Sequence, residues 1–228
     1  MKIEKFKIEN YMRRAKFVAS ILQICPFVRA VFLTGSLARG EAKEKSDIDF
    51  FIVTKKGRIW TCRLFVTILV SMTGYRRHKD KISGRICLNR YQTEDNLDIK
   101  PHNSYHAFDY SKIRPLWETN GIYSSYLKEN RWIKQKFGFS MKARRYCSTS
   151  WRTINFSITR RITLLDWMPK GARRIGERIF GSNWLENKLK QYQSQRILSD
   201  ARTLNSPKGK VFISDKELRF HPEKNLDK

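Results

Sequence analysis

The chain has 228 residues, of which 40% are hydrophobic and 13% aromatic, enough apolar mass to build a core and to exclude a globally disordered protein. Its 47 Lys and Arg against 21 Asp and Glu give a formal net charge of +26. So one-sided a charge points to an anionic partner: nucleic acid, a membrane surface or nucleotide phosphates. Cys25, Cys62, Cys87 and Cys147 are scattered without a CxxC pair. That usage fits reduced thiols in a cytoplasmic protein better than a disulfide or zinc framework.

Taken in order, residues 4 to 24 place Phe6, Tyr11, Ala15, Val18, Ala19 and Leu22 near helical spacing, so an amphipathic helix is expected to end before Pro26. The N-terminus lacks the uninterrupted apolar stretch of a signal peptide. "VRAVFLT" (28 to 34) has the β-branched and aromatic content of a strand. "SLARGEAKEKS" is a polar connection that begins with a helical turn, and "DIDFFIVT" (47 to 54) is a second strand. Residues 58 to 74 form a mostly buried helix with Gly74 just past its end. The apolar run inside it, 64 to 75, falls short of the roughly 20 residues a spanning helix needs. No transmembrane segment is expected, and contact with a membrane would be peripheral. "GRICLNRY" (84 to 91) reads as a third strand and residues 96 to 100 as a short fourth. Strand, turn, strand, helix, strand makes an α/β or α+β core.

The remainder changes character. From residue 128 to 210 there are 20 Lys and Arg against 5 Asp and Glu. A boundary near residue 120 is expected, with residues 1–120 forming the α/β domain and 121–228 a basic, mostly helical region. "GARRIGERIF" and "NWLENKLKQYQSQRILSDA" are its clearest helices, and "KVFISDKELRFHP" alternates like one more strand or a docking arm. Basic pairs (Arg76 and Arg77, Arg144 and Arg145, Arg160 and Arg161, Arg173 and Arg174) are solvated faces or a nucleic-acid footprint. Trp132, Phe137, Phe139, Tyr146 and Trp151 would pack in a core or stack on bases, and a basic helix beside Trp184 would suit an anionic membrane.

The chemistry concentrates in "FLTGSLARGEAKEKSDIDFFIV", residues 32 to 53. Positions i and i+2 of a strand share a face, so Asp47 and Asp49 aim two carboxylates the same way. Two such groups repel unless a cation lies between them, and Mg²⁺ is commonly held by one or two carboxylates plus substrate phosphates. Gly35 lets a phosphate approach the backbone. Ser36 adds a hydroxyl and the first N–H groups of a helical turn, and Arg39 offers a cation to a phosphate oxygen. His102 and His106 are four apart, a metal-ligand spacing on a helix, but no third ligand is spaced to join them.

"LTGSLARG…SDIDFFIV" resembles the signature of the polymerase-β-type nucleotidyltransferase superfamily, in which a Gly-Ser ends one strand and Asp-x-Asp lies on the next. Stand-alone bacterial nucleotidyltransferase-domain proteins carry similar words, and the likeness covers roughly residues 28 to 100. It implies a mixed sheet flanked by helices. It also implies transfer of an NMP group from an NTP such as ATP to an acceptor hydroxyl, with release of pyrophosphate. Gly35 and Ser36 would hold the phosphates, and Asp47 and Asp49 would hold Mg²⁺ in a two-metal site. The resemblance further implies a third carboxylate on a neighbouring strand. "RICLNRY" offers only Cys87 and Asn89 on the matching face, which leaves Asp98 as the candidate third acid. Without one, the alternative is a catalytically degenerate module that binds nucleic acid or a protein partner through its basic helices. A glycosyltransferase using Asp-x-Asp for a sugar nucleotide fits less well, since it leaves Gly35-Ser36 unexplained.

Overall fold

The computed structural model describes residues 2–78, 81–137, 167–200 and 211–220. Helix α1 (Lys2–Ile21) runs into a 3-10 turn, Leu22–Ile24. Its face of Tyr11, Ala15, Val18 and Ala19, continued by Leu22, is buried as its spacing predicts, whereas Phe6 is exposed. Strand β1 (Val28–Thr34), helix α2 (Gly35–Arg39), strand β2 (Ile48–Thr54), helix α3 (Ile59–Met72) and strand β3 (Ile86–Thr93) follow. Helix α4 (Ser104–Tyr110), strand β4 (Arg114–Glu118) and helices α5 (Ile122–Glu129) and α6 (Arg131–Phe137) come next. Beyond them lie α7 (Trp167–Ile179), α8 (Asn183–Leu198) and two short strands, β5 (Phe212–Ile213) and β6 (Glu217–Arg219).

The strands make one mixed sheet in the order β4-β1-β2-β3-β6-β5, flanked by helices. β2 pairs antiparallel to β1 and parallel to β3, and all seven of its residues are buried. Its side chains alternate between two cores. Ile48, Phe50 and Ile52 join the core under α1, α3 and α8, while Phe51 and Val53 join the core under α4, α5 and α6. A central strand covered on both faces reads as a continuous apolar run, which is how residues 48 to 53 read but for Asp49.

Two expectations change. Residues 96 to 100 are not a strand, although Leu97 and Ile99 are buried as alternation suggests. Their backbone is satisfied by side chains: Leu97 N donates to Glu129 Oε2 (3.0 Å), Ile99 N to Asn130 Oδ1 (2.8 Å), and Asn130 Nδ2 to Leu97 O (2.7 Å). The expected C-terminal strand is instead a hairpin, closed where Ser214 N donates to Glu217 O (2.8 Å) and Glu217 N to Ser214 Oγ (2.9 Å).

Elements after residue 120 touch those before it at several points. β6 extends the sheet beside β3. Arg29 of β1 forms a forked pair with Glu177 of α7, at 2.6 and 3.2 Å. Arg173, one of the basic pairs, sits over the Trp117 ring at 5.1 Å. Arg144, Arg145, Arg160, Arg161, Phe139, Tyr146, Trp151 and Cys147 lie outside the described residues. Among those described, no helix is long and apolar enough to cross a membrane.

Helix α3 starts without a side-chain cap from its own N-terminal residue, Arg58. Buried Glu186 of α8 supplies the cap from a distance in sequence: Oε1 accepts Trp60 N–H (2.9 Å), and Oε2 accepts Thr61 N–H (3.0 Å) and the Thr61 hydroxyl. A carboxylate at a helix N-terminus meets unpaired donors and the positive end of the dipole. Glu186→Ala is therefore expected to cost about 2–4 kcal/mol, since buried donors lose a charged acceptor. The melting temperature should fall by roughly 5–12 °C. Glu186→Gln should recover part of the loss; equal melting of all three proteins would remove the cap from the account.

Candidate active site

The loop after α2 delivers Asp47 to the start of β2, and pairing within the sheet does the rest. Thr34, the last residue of β1, faces Asp49 across the antiparallel ladder, and Asp49 faces Cys87 across the parallel one. One oxygen each from Asp47 and Asp49 and the Sγ of Cys87 all lie within 4.8 Å of one another. Asp49 is buried and Asp47 partly exposed, so the cluster opens toward solvent on the Asp47 side.

Gly35 shows why that position is small. It has φ +68°, and a Cβ there would stand 2.2 Å from Asp49 Oδ2. The backbone of the Gly-Ser turn thus lies directly against the carboxylate, with Ser36 partly exposed beside it. Gly35 therefore lies against Asp49, which lies in the same cluster as Asp47.

Burial, the Asp47 charge and then the Asp109 charge push the Asp49 carboxyl well above the usual carboxylate range. A cation among these groups would reverse that penalty, which is what the donor set of two carboxylates suits. Burial and the same two aspartates also push the Cys87 thiol up.

Asp98 and Arg39 have partners that the sequence does not suggest. Asp98 does not join Asp47 and Asp49. β2 and β3 run parallel, so the aspartates lie at the start of the pair, whereas Asp98 follows its end. Its carbonyl accepts from Gln92 Nε2 at 3.0 Å, and Gln92 is five residues beyond Cys87, roughly 15 Å along the strand. The Asp98 carboxylate pairs with His102 Nε2 at 2.7 Å. Cys87 of β3 faces Asp49, and Asn89 lies at a β-bulge between the Phe50–Leu88 and Phe51–Arg90 pairs. Arg39 is engaged by acids: Nη1 contacts Asp109 Oδ1 at 2.6 Å, Nε contacts Glu41 Oε2 at 2.8 Å, and the guanidinium lies 4.5 Å from the Phe108 ring.

Two residues of the site escape a reading by motif. Arg77 Nη1 donates to Asp47 Oδ2 at 2.7 Å and lies 3.7 Å from Cys87 Sγ. Asp109, on α4, adds its charge to the field at Asp49. In sequence Arg77 is one of a basic pair; the only hint of Asp109 is an acid three residues after the buried His106 of a short helix.

His102 and His106 are not a ligand pair. His102 precedes α4 and stacks on Trp132 at 4.3 Å, while His106 is buried, with Nδ1 2.9 Å from Pro101 O. Burial, with Arg90 and Arg219 nearby, lowers the His106 pKa from 6.5 to about 4. The folded state therefore resists protonation that the unfolded chain accepts. Stability is complete above pH 6.5 and is lost as the pH falls from there to 4, by about 3 kcal/mol for this one group. His106→Gln should flatten that part of the stability profile in denaturant titrations at pH 7 and pH 4.5. An unchanged slope would place the acid sensitivity elsewhere.

The mixed sheet thus sets the Gly-Ser turn against the carboxylate cluster. The sequence matches the nucleotidyltransferase domain family over residues 14–130, just over half of the 228-residue chain. The chain belongs to that family, within the polymerase-β-type superfamily. No curated protein and no solved structure matches it. The matched segment starts inside α1 and ends just after α5, so it contains the whole cluster.

Proposed function

We propose that the protein is a divalent-metal-dependent nucleotidyltransferase that moves an NMP group from an NTP to an acceptor hydroxyl and releases pyrophosphate. The observation that carries this reading is the convergence of Asp47 and Asp49 directly against Gly35. Asp47 and Asp49 would hold the cation, for which Mg²⁺ is the natural candidate given hard oxygen ligands. When bound, it would neutralise phosphate charge and polarise the bond being broken. Gly35 and Ser36 would hold the triphosphate, Ser36 by donating its hydroxyl to a phosphate oxygen. Arg39 would reach a phosphate only by leaving Asp109 and Glu41, and we assign no step to Asp98, which pairs with His102. The acceptor oxygen attacks the α-phosphorus as the bond to pyrophosphate breaks; Asp47 and Asp49 contribute by positioning and by charge.

A second reading has its own observation. A thiol faces Asp49 from the neighbouring strand, where the resemblance implies an acid, and Arg77 already pairs with Asp47. A degenerate module that binds nucleic acid or a protein through its basic surface would look the same. We place either protein in the cytoplasm, with peripheral membrane contact the remaining role for the basic helices. The test supplies each labelled NTP with Mg²⁺ and cell extract, and follows label into RNA, protein or small molecules. Label entering an acceptor in a metal-dependent way supports the enzyme. Salt-sensitive nucleic-acid binding that ignores Mg²⁺ and NTP, with no label transferred, supports the module.

A further inference from the structure

We propose that the Arg77 guanidinium stands where a two-metal site would hold its second ion, so that this site takes a single divalent cation. The inference rests on the metal-dependent reading above and narrows it from two ions to one.

The contacts are direct. Arg77 Nη1 bonds Asp47 Oδ2 at 2.7 Å and reaches Cys87 Sγ at 3.7 Å, touching two of the three groups that converge within 4.8 Å. The single ion would lie between Asp47 and Asp49. The backbone of Arg77 is also tied to the neighbouring strand. Its N–H donates to Ile86 O at 2.9 Å, and Ile86 N donates to Tyr75 O at 2.7 Å, so the backbone around Arg77 is laced to the residue just before Cys87. Its side chain is partly shielded, at 36% exposure.

Charge points the same way. Two ionised carboxylates and one guanidinium sum to −1. One divalent ion brings the cluster to +1, which the phosphates of an NTP can balance. A second would bring it to +3, beside a guanidinium that cannot shed its proton. Cys87 is moreover a soft donor, poorly suited to a hard ion such as Mg²⁺. A guanidinium supplies fixed positive charge in an ion's place, and its remaining N–H groups suit phosphate oxygens.

The experiment counts Mn²⁺ bound per full-length chain, saturated with a non-hydrolysable NTP analogue, and records the electron spin resonance of the bound ions. One ion, with no spin–spin broadening, is expected for the wild type and for Cys87→Asp, where Arg77 still fills the position. Two ions with a coupled signal are expected for Arg77→Met combined with Cys87→Asp. Two ions in the wild type would overturn the proposal and leave the metal-dependent reading intact. So would one ion in a folded double variant. No bound Mn²⁺ in the wild type would overturn both. Should the double variant not fold, the wild-type count and signal decide alone.

Discussion

Asp47→Asn combined with Asp49→Asn is expected to lower NMP transfer by about a thousandfold or more, because the several kcal/mol that a cation contributes at the reacting phosphate leave with its ligands. The same protein should melt no lower than the wild type. Asp49 is buried beside Asp47, and the two charges oppose each other in the folded state. Replacing both removes that repulsion and the cost of burying a charge, while Arg77, partly exposed, can turn to water. Catalytic loss with stability kept, or gained, is the signature of groups held for chemistry against the preference of the fold. Transfer that survives the double substitution would place the metal elsewhere. Activity lost only together with the melting transition would make the pair structural.

Gly35→Ala is expected to damage both properties at once. A left-handed backbone costs a non-glycine residue about 1–2 kcal/mol. The added Cβ also stands 2.2 Å from Asp49 Oδ2, so the carboxylate must move. Together these should cost about 2–3 kcal/mol and lower the melting temperature by roughly 5–10 °C. Transfer should fall about a hundredfold, since a displacement near 1 Å at a catalytic group has that effect. Gly40 is the control. It also has positive φ, but a Cβ there meets nothing within 4 Å. Gly40→Ala should show the backbone cost alone, with transfer near normal. If the two substitutions behave alike, close approach to Asp49 is not what Gly35 is for.

Both predictions concern residues legible in the sequence, and the reason is local. A glycine closing one apolar run and Asp-x-Asp opening another are features of neighbouring residues, and strand periodicity alone puts both carboxylates on one face. The buried face of α1, the central character of β2 and the burial of α3 are readable for the same reason. Each follows from an apolar pattern that repeats within the element.

Where reading by pattern stops is equally physical. Leu97 and Ile99 alternate as strand residues do, but Glu129 and Asn130 satisfy their backbone, and no local rule anticipates side-chain partners some 30 residues away. Asp98 has the flanks of a strand acid, yet the parallel pairing of β2 and β3 sets it beyond the far end of the site. Glu186 looks like one more surface charge on a basic helix until α8 packs on α3 and makes it a cap.

The sequence by itself determined the family and the mixed sheet with its flanking helices, and it pointed to Gly35-Ser36, Asp47 and Asp49 as one group. Only the tertiary structure decided what completes that cluster. It set a thiol from β3 opposite Asp49, a guanidinium from the loop after α3 against Asp47, and Asp109 of α4 within reach of their field. Periodicity places side chains within one element; strand pairing and packing place elements against each other, and the partners of a buried charge are chosen at that second stage.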